Sequence, residues 1–504
     1  MAISARAEAA GPRGRGQGMA AVGGRYGSTA FQAVVALTVI GAALRFATID
    51  VQSLWLDESA TVILVHRSFS GMLSHLSSSE SAPPLYYVLA WLWTHVFGTG
   101  AIGFRSLSAL AGTLTIPVVF ACGREVSERT GLWAATLATF SPAMYYYSQE
   151  ARAYSLLIFF GALAFWCWLR ALRIGDGRSL AWWAGTSALA VLTHYFAAFL
   201  FIPEALLLIR RMGLRRVLAP VGAVCLVGLA LAPLAISQRS DGKAKWIEES
   251  SLLNRIAETV KQFLVGLYGP VEIGTAVVSG LIGLALLALA WQRADGRERG
   301  PASDAAIVAA AAIGLPLVLA GAHIIDVFDG RNVIAAWVPY AVVLALGAGA
   351  ARAGRAGAAL GASLCAVGIG VIVATNLLPG YQRDDWRGVA SALPATQAPR
   401  AIVAERYAGS PLSIYLHQTL RGPSGGRVLV SELDFATLRV RRTEGAPTPP
   451  AIQHVAPAGF RLVAVSSHEA YAVTRFVADR PTEVPVRELL RLSGDPGGEV
   501  LLTR

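Results

Sequence analysis

Residues 31–59 read FQAVVALTVIGAALRFATIDVQSLWLDES. Phe31 to Thr48 is an apolar run close to the ~20 residues a helix needs to cross a bilayer. Just past it, in Leu54-Trp55-Leu56-Asp57-Glu58-Ser59, stand two adjacent acids. Carboxylates beside lipid are costly to hold, so they face water or a lined cavity and mark function. Taken alone, an acidic pair in a loop is more often simply solvated. The residues that accompany this pair further along the chain change that reading.

Composition places the whole chain in the membrane. Of 504 residues, 54% are hydrophobic and 15% charged, where a soluble domain carries about 25% charge. Mean hydropathy is +0.52. The net charge of +11 invites a nucleic-acid partner, but the arginines lie in short loops between apolar segments, where they set topology. No nucleic-acid partner is expected. Cys122, Cys167, Cys225 and Cys365 fall in or beside apolar segments and read as small core residues, with no disulfide framework.

About eleven transmembrane helices are expected, near 29–48, 104–122, 131–147, 152–171, 179–194, 196–211, 217–237, 271–292, 304–323, 332–350 and 357–378. Pro84 to Phe97 is too short to span, and its Tyr86, Tyr87, Trp91 and Trp93 suit the headgroup region, so it reads as an interfacial helix of the first external loop. Residues 1–28, rich in Gly, Ala and Arg, read as a disordered basic tail in the cytoplasm, followed by a retained first helix rather than a cleaved signal. With that orientation every inside loop (123–130, 172–178, 210–216, 293–303 and 351–356) is basic, as the positive-inside rule requires. If Pro84 to Phe97 spanned, the later basic loops would fall on the wrong side. An odd number of spans puts the C-terminus outside.

From residue 380 the pattern changes. Short apolar runs at 401–404, 428–430 and 462–465 read as buried strands bounded by turns, with a helix near 410–420. The expected organisation is a tail over 1–28, a transmembrane domain over 29–379 and a small extracytoplasmic α/β domain over 380–504.

The outer edges collect polar residues. After Asp57 and Glu58 come Pro83-Pro84-Leu85-Tyr86-Tyr87, then Arg105-Ser106-Leu107-Ser108, then Ser148-Gln149-Glu150-Ala151-Arg152-Ala153-Tyr154. His194-Tyr195 sits at the next outer turn, and Asp329-Gly330-Arg331-Asn332 opens the tenth expected span. In order, spacing and side of the membrane, Trp55-Leu56-Asp57-Glu58, the Pro83, Arg105 and Ser148 stretches, and Arg331 before a Pro-containing helix resemble the polytopic GT-C glycosyltransferases, in the group of protein O-mannosyltransferases and lipid A aminoarabinose transferases. The resemblance covers roughly residues 30–390. That group often has Arg-Tyr where this chain has Arg331-Asn332.

The resemblance implies a mostly α, polytopic GT-C membrane fold and a reaction. A sugar on a polyprenyl-phosphate carrier passes, with inversion, to an acceptor glycan, lipid or protein outside the cytoplasmic membrane of a bacterium. Asp57 occupies the position of the family's general base, with Glu58 beside it to orient acceptor or base. The leaving lipid phosphate calls for fixed cations, and Arg105, Arg152 and Arg331 come from three helices. Tyr86, Tyr87, Glu150, Tyr154, His194 and Tyr195 are the expected substrate contacts. No His/Cys cluster with ligand spacing is visible. Some relatives use a divalent cation, for which Asp57, Glu58 and Glu150 offer oxygens, so metal dependence stays open.

Plainer readings stand beside these. Arg105 and Arg152 are equally well read as snorkelling anchors, and Arg45 as one that snorkels outward. His194 reads as a hydrogen-bonded turn residue, and Arg331 as a partner of Asp329 or Asp326. A lipid or sugar transporter is the main alternative to an enzyme. It predicts repeated halves and charges at mid-membrane, and neither is evident. A non-catalytic scaffold would not require Asp57 or the arginines.

Overall fold

The computed structural model describes residues 17–240, 247, 249–439, 452–453 and 455–503, with side chains from residue 29 onward. The expected basic tail lies outside the described residues up to residue 16. From Gln17 the backbone is already helical, in α1 (Gln17–Ala47). Three short helices follow: α2 (Leu56–Val65), α3 (Phe69–Ser79) and α4 (Pro84–Phe97). Next come α5 (Ala101–Arg124), α6 (Glu128–Phe140), α7 (Pro142–Ser148), α8 (Tyr154–Ile174), α9 (Gly177–Thr193), α10 (Ala198–Met212) and α11 (Leu214–Ser240). The helical part closes with α12 (Leu252–Val265), α13 (Glu272–Arg293), α14 (Gly296–Gly321), α15 (Trp337–Gly349) and α16 (Gly354–Leu377).

Seven of the described helices are long and apolar enough to cross a membrane, and the chain is a multi-pass membrane protein. Each of the eleven expected spans coincides with helix, one of them, 131–147, with two successive helices. Those at α6, α9, α10 and α15 are shorter than the rest. α5 and α8 are mostly buried and stand at the centre of the bundle, whereas α1, α11 and α13 turn most of their surface outward. That surface is apolar, with Leu226, Leu229, Leu281, Leu284 and Trp291 all exposed, as lipid contact requires. Pro84–Phe97 is helical over the bounds expected of the interfacial segment. Its proline sits in the first turn, where a missing N–H leaves nothing unsatisfied.

The expected span 131–147 is broken in two. Pro142 has no N–H to offer the carbonyl of Ala138, four residues back, so α6 ends at Phe140 and Ser141 caps α7, its Oγ accepting from the Met144 amide at 3.3 Å. The stranded carbonyl is met from α1. Arg45, expected to snorkel outward, is turned inward and fully buried. Its Nη2 donates to Ala138 O at 3.1 Å, its Nη1 to Gly41 O at 3.1 Å and its Nε to Ser148 Oγ at 3.0 Å. A helix break in a dry bundle needs a donor, and that need outweighs snorkelling here.

Beyond α16 lie α17 (Trp386–Ala392), β1 (Arg400–Ala404), α18 (Gly409–Tyr415), β2 (Arg427–Leu438), β3 (Arg461–Ser467), β4 (Tyr471–Pro485), α19 (Val486–Ser493) and β5 (Glu499–Thr503). The sheet order is β3-β4-β2-β1-β5. β1 and β2 run parallel and the other neighbours antiparallel. The three short runs read as strands lie within β1, β2 and β3. The sheet packs on α17 and α18 through Trp386, Val389, Leu412 and Ile402. Those two helices rest on the segment before α2: Ser53 Oγ donates to Asp385 Oδ1 at 2.8 Å and the Leu54 amide to Tyr415 Oη at 2.6 Å.

Candidate functional site

The site forms at the N-terminus of α2. Asp57 and Glu58 occupy its first turn, where helix-end N–H groups favour negative charge. Neighbours on a helix diverge by about 100°, so the two carboxylates face different surroundings.

Glu58 is fully buried. Arg105 grips it with two parallel bonds, Nε to Oε1 at 2.7 Å and Nη2 to Oε2 at 2.6 Å. The Ala151 amide donates to Oε1 at 2.9 Å, the Trp55 amide to Oε2 at 3.3 Å, and Arg383 Nη1 stands 3.5 Å from Oε2. Burial by itself would raise the Glu58 carboxyl. The charges of Arg105 and Arg383 and the Ala151 N–H outweigh it and hold the group below its usual value. Arg105 in turn sends Nη1 to Ile49 O (3.0 Å) and Gln52 O (2.8 Å) and Nη2 to Ser53 O (2.8 Å). With Glu58 that engages all five guanidinium donors. Arg105 was expected at the donor phosphate. Fully buried and with no N–H left over, it instead clamps the chain ahead of α2, and Glu58 is the anion that it clamps.

Asp57 differs from its neighbour. It is half-buried, and its carboxylate makes no hydrogen bond or ion pair among the described residues. Arg152 and Arg331 both lie within electrostatic reach of it. Arg152 is anchored at one corner: its Nη1 reaches Glu80 Oε2 at 2.7 Å, Thr61 Oγ1 at 3.0 Å and Asp57 O at 3.4 Å. Buried Glu80 also accepts from Tyr87 Oη at 2.9 Å and from Thr61 Oγ1 at 2.9 Å. Arg331 is held by Asp329, Nε to Oδ1 at 3.3 Å, whereas Asp326 pairs with Arg255 at 2.6 Å. The pairing of Arg331 with Asp329 is therefore present, and it leaves Arg331 beside Tyr154, Tyr147 and Asp57.

Four buried polar atoms here have no hydrogen-bond partner among the described residues: Trp55 Nε1, Tyr86 Oη, Glu150 Oε2 and Arg383 Nε. Burial raises the Glu150 carboxyl to about 7; Arg383 opposes the rise, and Glu58 and Asp57 add to it. Tyr154 lies against Tyr147 and His194, with ring centroids 5.1 and 5.5 Å apart. His194 accepts from the Phe196 amide through Nδ1 at 3.3 Å, as a turn residue does. Tyr195 is directed elsewhere: its hydroxyl donates to Gln238 Oε1 at 2.9 Å, and the Gln238 amide ties Leu76 O and Ala82 O, each at 3.1 Å. It braces α11 against the α3–α4 region.

The fold thus gathers Asp57, Glu58, Tyr86, Tyr87, Arg105, Glu150 and Arg152, with Tyr154 and Arg331 within electrostatic reach. Two participants were not singled out from the sequence as site residues, Glu80 and Arg383. Glu80 stands just before Pro83-Pro84, and Arg383 is the first charged residue after the last span. The carboxylates offered for a divalent cation do not converge as ligands, because both Glu58 oxygens are engaged by arginines and amides. No group of three or more His, Cys, Asp or Glu residues that could hold a metal ion is present among the described residues.

Residues 81–237 match the family model described as dolichyl-phosphate-mannose-protein mannosyltransferase. The matched segment contains Tyr86, Tyr87, Arg105, Glu150 and Arg152 but begins after Asp57. Comparison with curated protein sequences finds no significant match. Among solved structures the chain is similar to ArnT from Cupriavidus metallidurans in its apo state, at 15% identity and a TM-score of 0.47, covering 73% of this chain and 66% of that one. The same ArnT bound to undecaprenyl phosphate gives 16% identity, a TM-score of 0.44 and coverage of 72% and 66%. The Archaeoglobus fulgidus oligosaccharyltransferase tethered with an acceptor peptide gives 13%, 0.43, and 72% and 57%. The chain therefore spans just under two thirds of ArnT's length and less of the archaeal enzyme's.

Proposed function

We propose that the chain is an inverting glycosyltransferase that moves a sugar from a polyprenyl-phosphate carrier to an acceptor on the outer face of a bacterial cytoplasmic membrane. One observation carries the reading: Asp57 keeps an unengaged carboxylate within reach of Arg152 and Arg331, while the acid beside it is locked. The match of residues 81–237 to a mannosyltransferase family model supports the same class.

In this reading Asp57 takes the proton of the acceptor hydroxyl or amine as that atom bonds to the anomeric carbon. The bond from the anomeric carbon to the phosphate oxygen breaks on the opposite face, and its electron pair leaves with the lipid phosphate. Arg152 and Arg331 stabilise the charge that builds there, in surroundings dry enough to make fixed cations effective. Glu80 aims Arg152, and Asp329 aims Arg331. Tyr86, Tyr87, Glu150 and Tyr154 line the space where the sugar sits. Arg105 and Glu58 form the frame that points Asp57. The N-terminus lies in the cytoplasm and the sheet-bearing unit outside it.

The test is reconstitution of the purified protein in liposomes with radiolabelled polyprenyl-phosphate sugars and an envelope extract as acceptor. Transfer by the wild type that is lost in Asp57→Asn supports the assignment. Equal transfer by both removes Asp57 as the base, and no transfer with any donor removes the enzyme reading.

A further inference from the structure

The segment that leads into α2 is held from two sides. Arg105 grips it from α5. On the other side, four of the five residues from Asp50 to Leu54 bond to the region just past the last span. Asp50 pairs with Arg387 at 2.7 Å. Gln52 Oε1 accepts from the Arg383 amide at 3.0 Å. Ser53 Oγ donates to Asp385 at 2.8 Å and accepts from the Arg387 amide at 3.1 Å. The Leu54 amide donates to Tyr415 Oη at 2.6 Å. In chain order these partners lie more than 300 positions away.

Arg383 reaches furthest inward. It is buried, and its Nη1 donates to the Gln149 carbonyl at 3.0 Å while standing 3.5 Å from Glu58 Oε2. Its guanidinium lies 4.4 Å from the Tyr146 ring centroid and 5.9 Å from that of Trp55, where the ring faces favour a cation. One side chain thus bridges the turn carrying Asp57, through Glu58 and Trp55, to the turn carrying Glu150 and Arg152, through Gln149.

We propose that Arg383 is a positioning residue for the transfer site, through which the docked C-terminal unit fixes the α2 turn bearing Asp57 against the 149–152 turn bearing Arg152. The inference deepens the glycosyltransferase reading and rests on it for its kinetic consequence. Its structural content is independent of that reading. A cation with a planar fork suits the place, because it must meet a carboxylate, a carbonyl and two ring faces at once.

The experiment compares wild type, Arg383→Gln, Arg383→Lys and Tyr415→Phe in detergent and in liposomes. Hydrogen exchange of peptides covering residues 53–65 is read first. Exchange about tenfold faster in Arg383→Gln, and less so in Tyr415→Phe, with α8 and α16 unchanged, is the expected result for a local loosening. Kinetics are read second: kcat falls more than KM rises, and Arg383→Lys recovers part of the loss. Unchanged exchange over 53–65 in both Arg383→Gln and Tyr415→Phe overturns the proposal, even where activity falls. A faster exchange in a protein that transfers no sugar upholds the positioning and rejects only the enzyme reading. Tyr415→Phe, which removes a single hydroxyl of a half-buried residue, keeps the test open should Arg383→Gln not fold.

Discussion

Asp57 and Glu58 are consecutive in the chain and opposite in circumstance. Glu58 is sealed between two arginines and two backbone amides, while the Asp57 carboxylate is half-buried and bonded to nothing among the described residues. An immobilised acid and an available one thus stand side by side, and the first fixes the helical turn that presents the second.

Asp57→Asn and Glu58→Gln should therefore fail in different ways. Asp57→Asn removes a half-buried charge with no hydrogen bond or ion pair among the described residues, so the melting midpoint should hardly move, a change within ~0.5 kcal/mol. Transfer should fall ~10²–10⁴-fold, the usual worth of a general base. Glu58→Gln leaves Arg105 and Arg383 buried without their anion and should cost about 3–5 kcal/mol of stability. Melting curves alongside initial rates separate the two. A Glu58→Gln protein as stable as wild type would contradict the clamp.

Arg105 should tolerate no substitute. Lysine has three donors and no fork, against five acceptor contacts now made. Arg105→Lys should lose roughly 3 kcal/mol, near the cost of breaking a buried pair outright, and activity with it. Arg152→Lys keeps the charge at a site anchored through one corner and should fold normally, with its loss falling on kcat for transfer and on donor binding rather than on stability. Thermal unfolding of both variants, with KM for the donor, checks the contrast.

Much of this was legible in the chain because membrane helices carry a strong signal. Runs such as 357–378 and 271–292 are apolar over a bilayer's thickness, and Pro84 to Phe97 was marked as interfacial by its length and aromatics. The break at Ser141-Pro142 was also written there, yet it reads as one span until the stranded Ala138 carbonyl is matched to Arg45. The site was legible as residue types and not as roles. Asp57 and Glu58, or Arg105 and Arg152, look alike in sequence. Which of each pair is engaged depends on acceptors that come from elsewhere, such as Ile49 O, Gln52 O and Glu80. Arg383 was missed because its partners lie far away in the chain. β4 was missed because Asp479, Arg480 and Pro481 interrupt its apolar pattern.

Glu150 should make stability depend on pH near neutrality. Burial raises its carboxyl to about 7 from an ordinary 4.5. The native state then holds a proton that the unfolded chain has released. Stability from this group is fully present below about 4.5, declines as pH rises towards 7 and stays low above it, by about 3 kcal/mol at 1.36 kcal/mol per unit. Glu150→Gln should flatten that slope and be more stable than wild type at pH 8 but not at pH 4.5. Urea midpoints at the two values decide it, and a wild-type slope that persists in Glu150→Gln assigns the titration elsewhere.

Arg45 and Pro142 should be energetically coupled although they are 97 positions apart. Arg45 Nη2 serves the Ala138 carbonyl because residue 142 cannot. In Pro142→Ala the new amide can reach that carbonyl and close the gap between α6 and α7. Arg45→Met should then cost several kcal/mol in the wild type, since it strands carbonyls inside an apolar bundle. It should cost less in the Pro142→Ala background, by about 1 kcal/mol, the scale of one net hydrogen bond. A double-mutant cycle on thermal or denaturant midpoints measures the difference directly. Because Arg45 also holds Gly41 O and Ser148 Oγ, the rescue should be partial. A cycle that closes at zero would mean that Ala138 O is satisfied by some other donor, and that the proline break and the buried arginine arose independently.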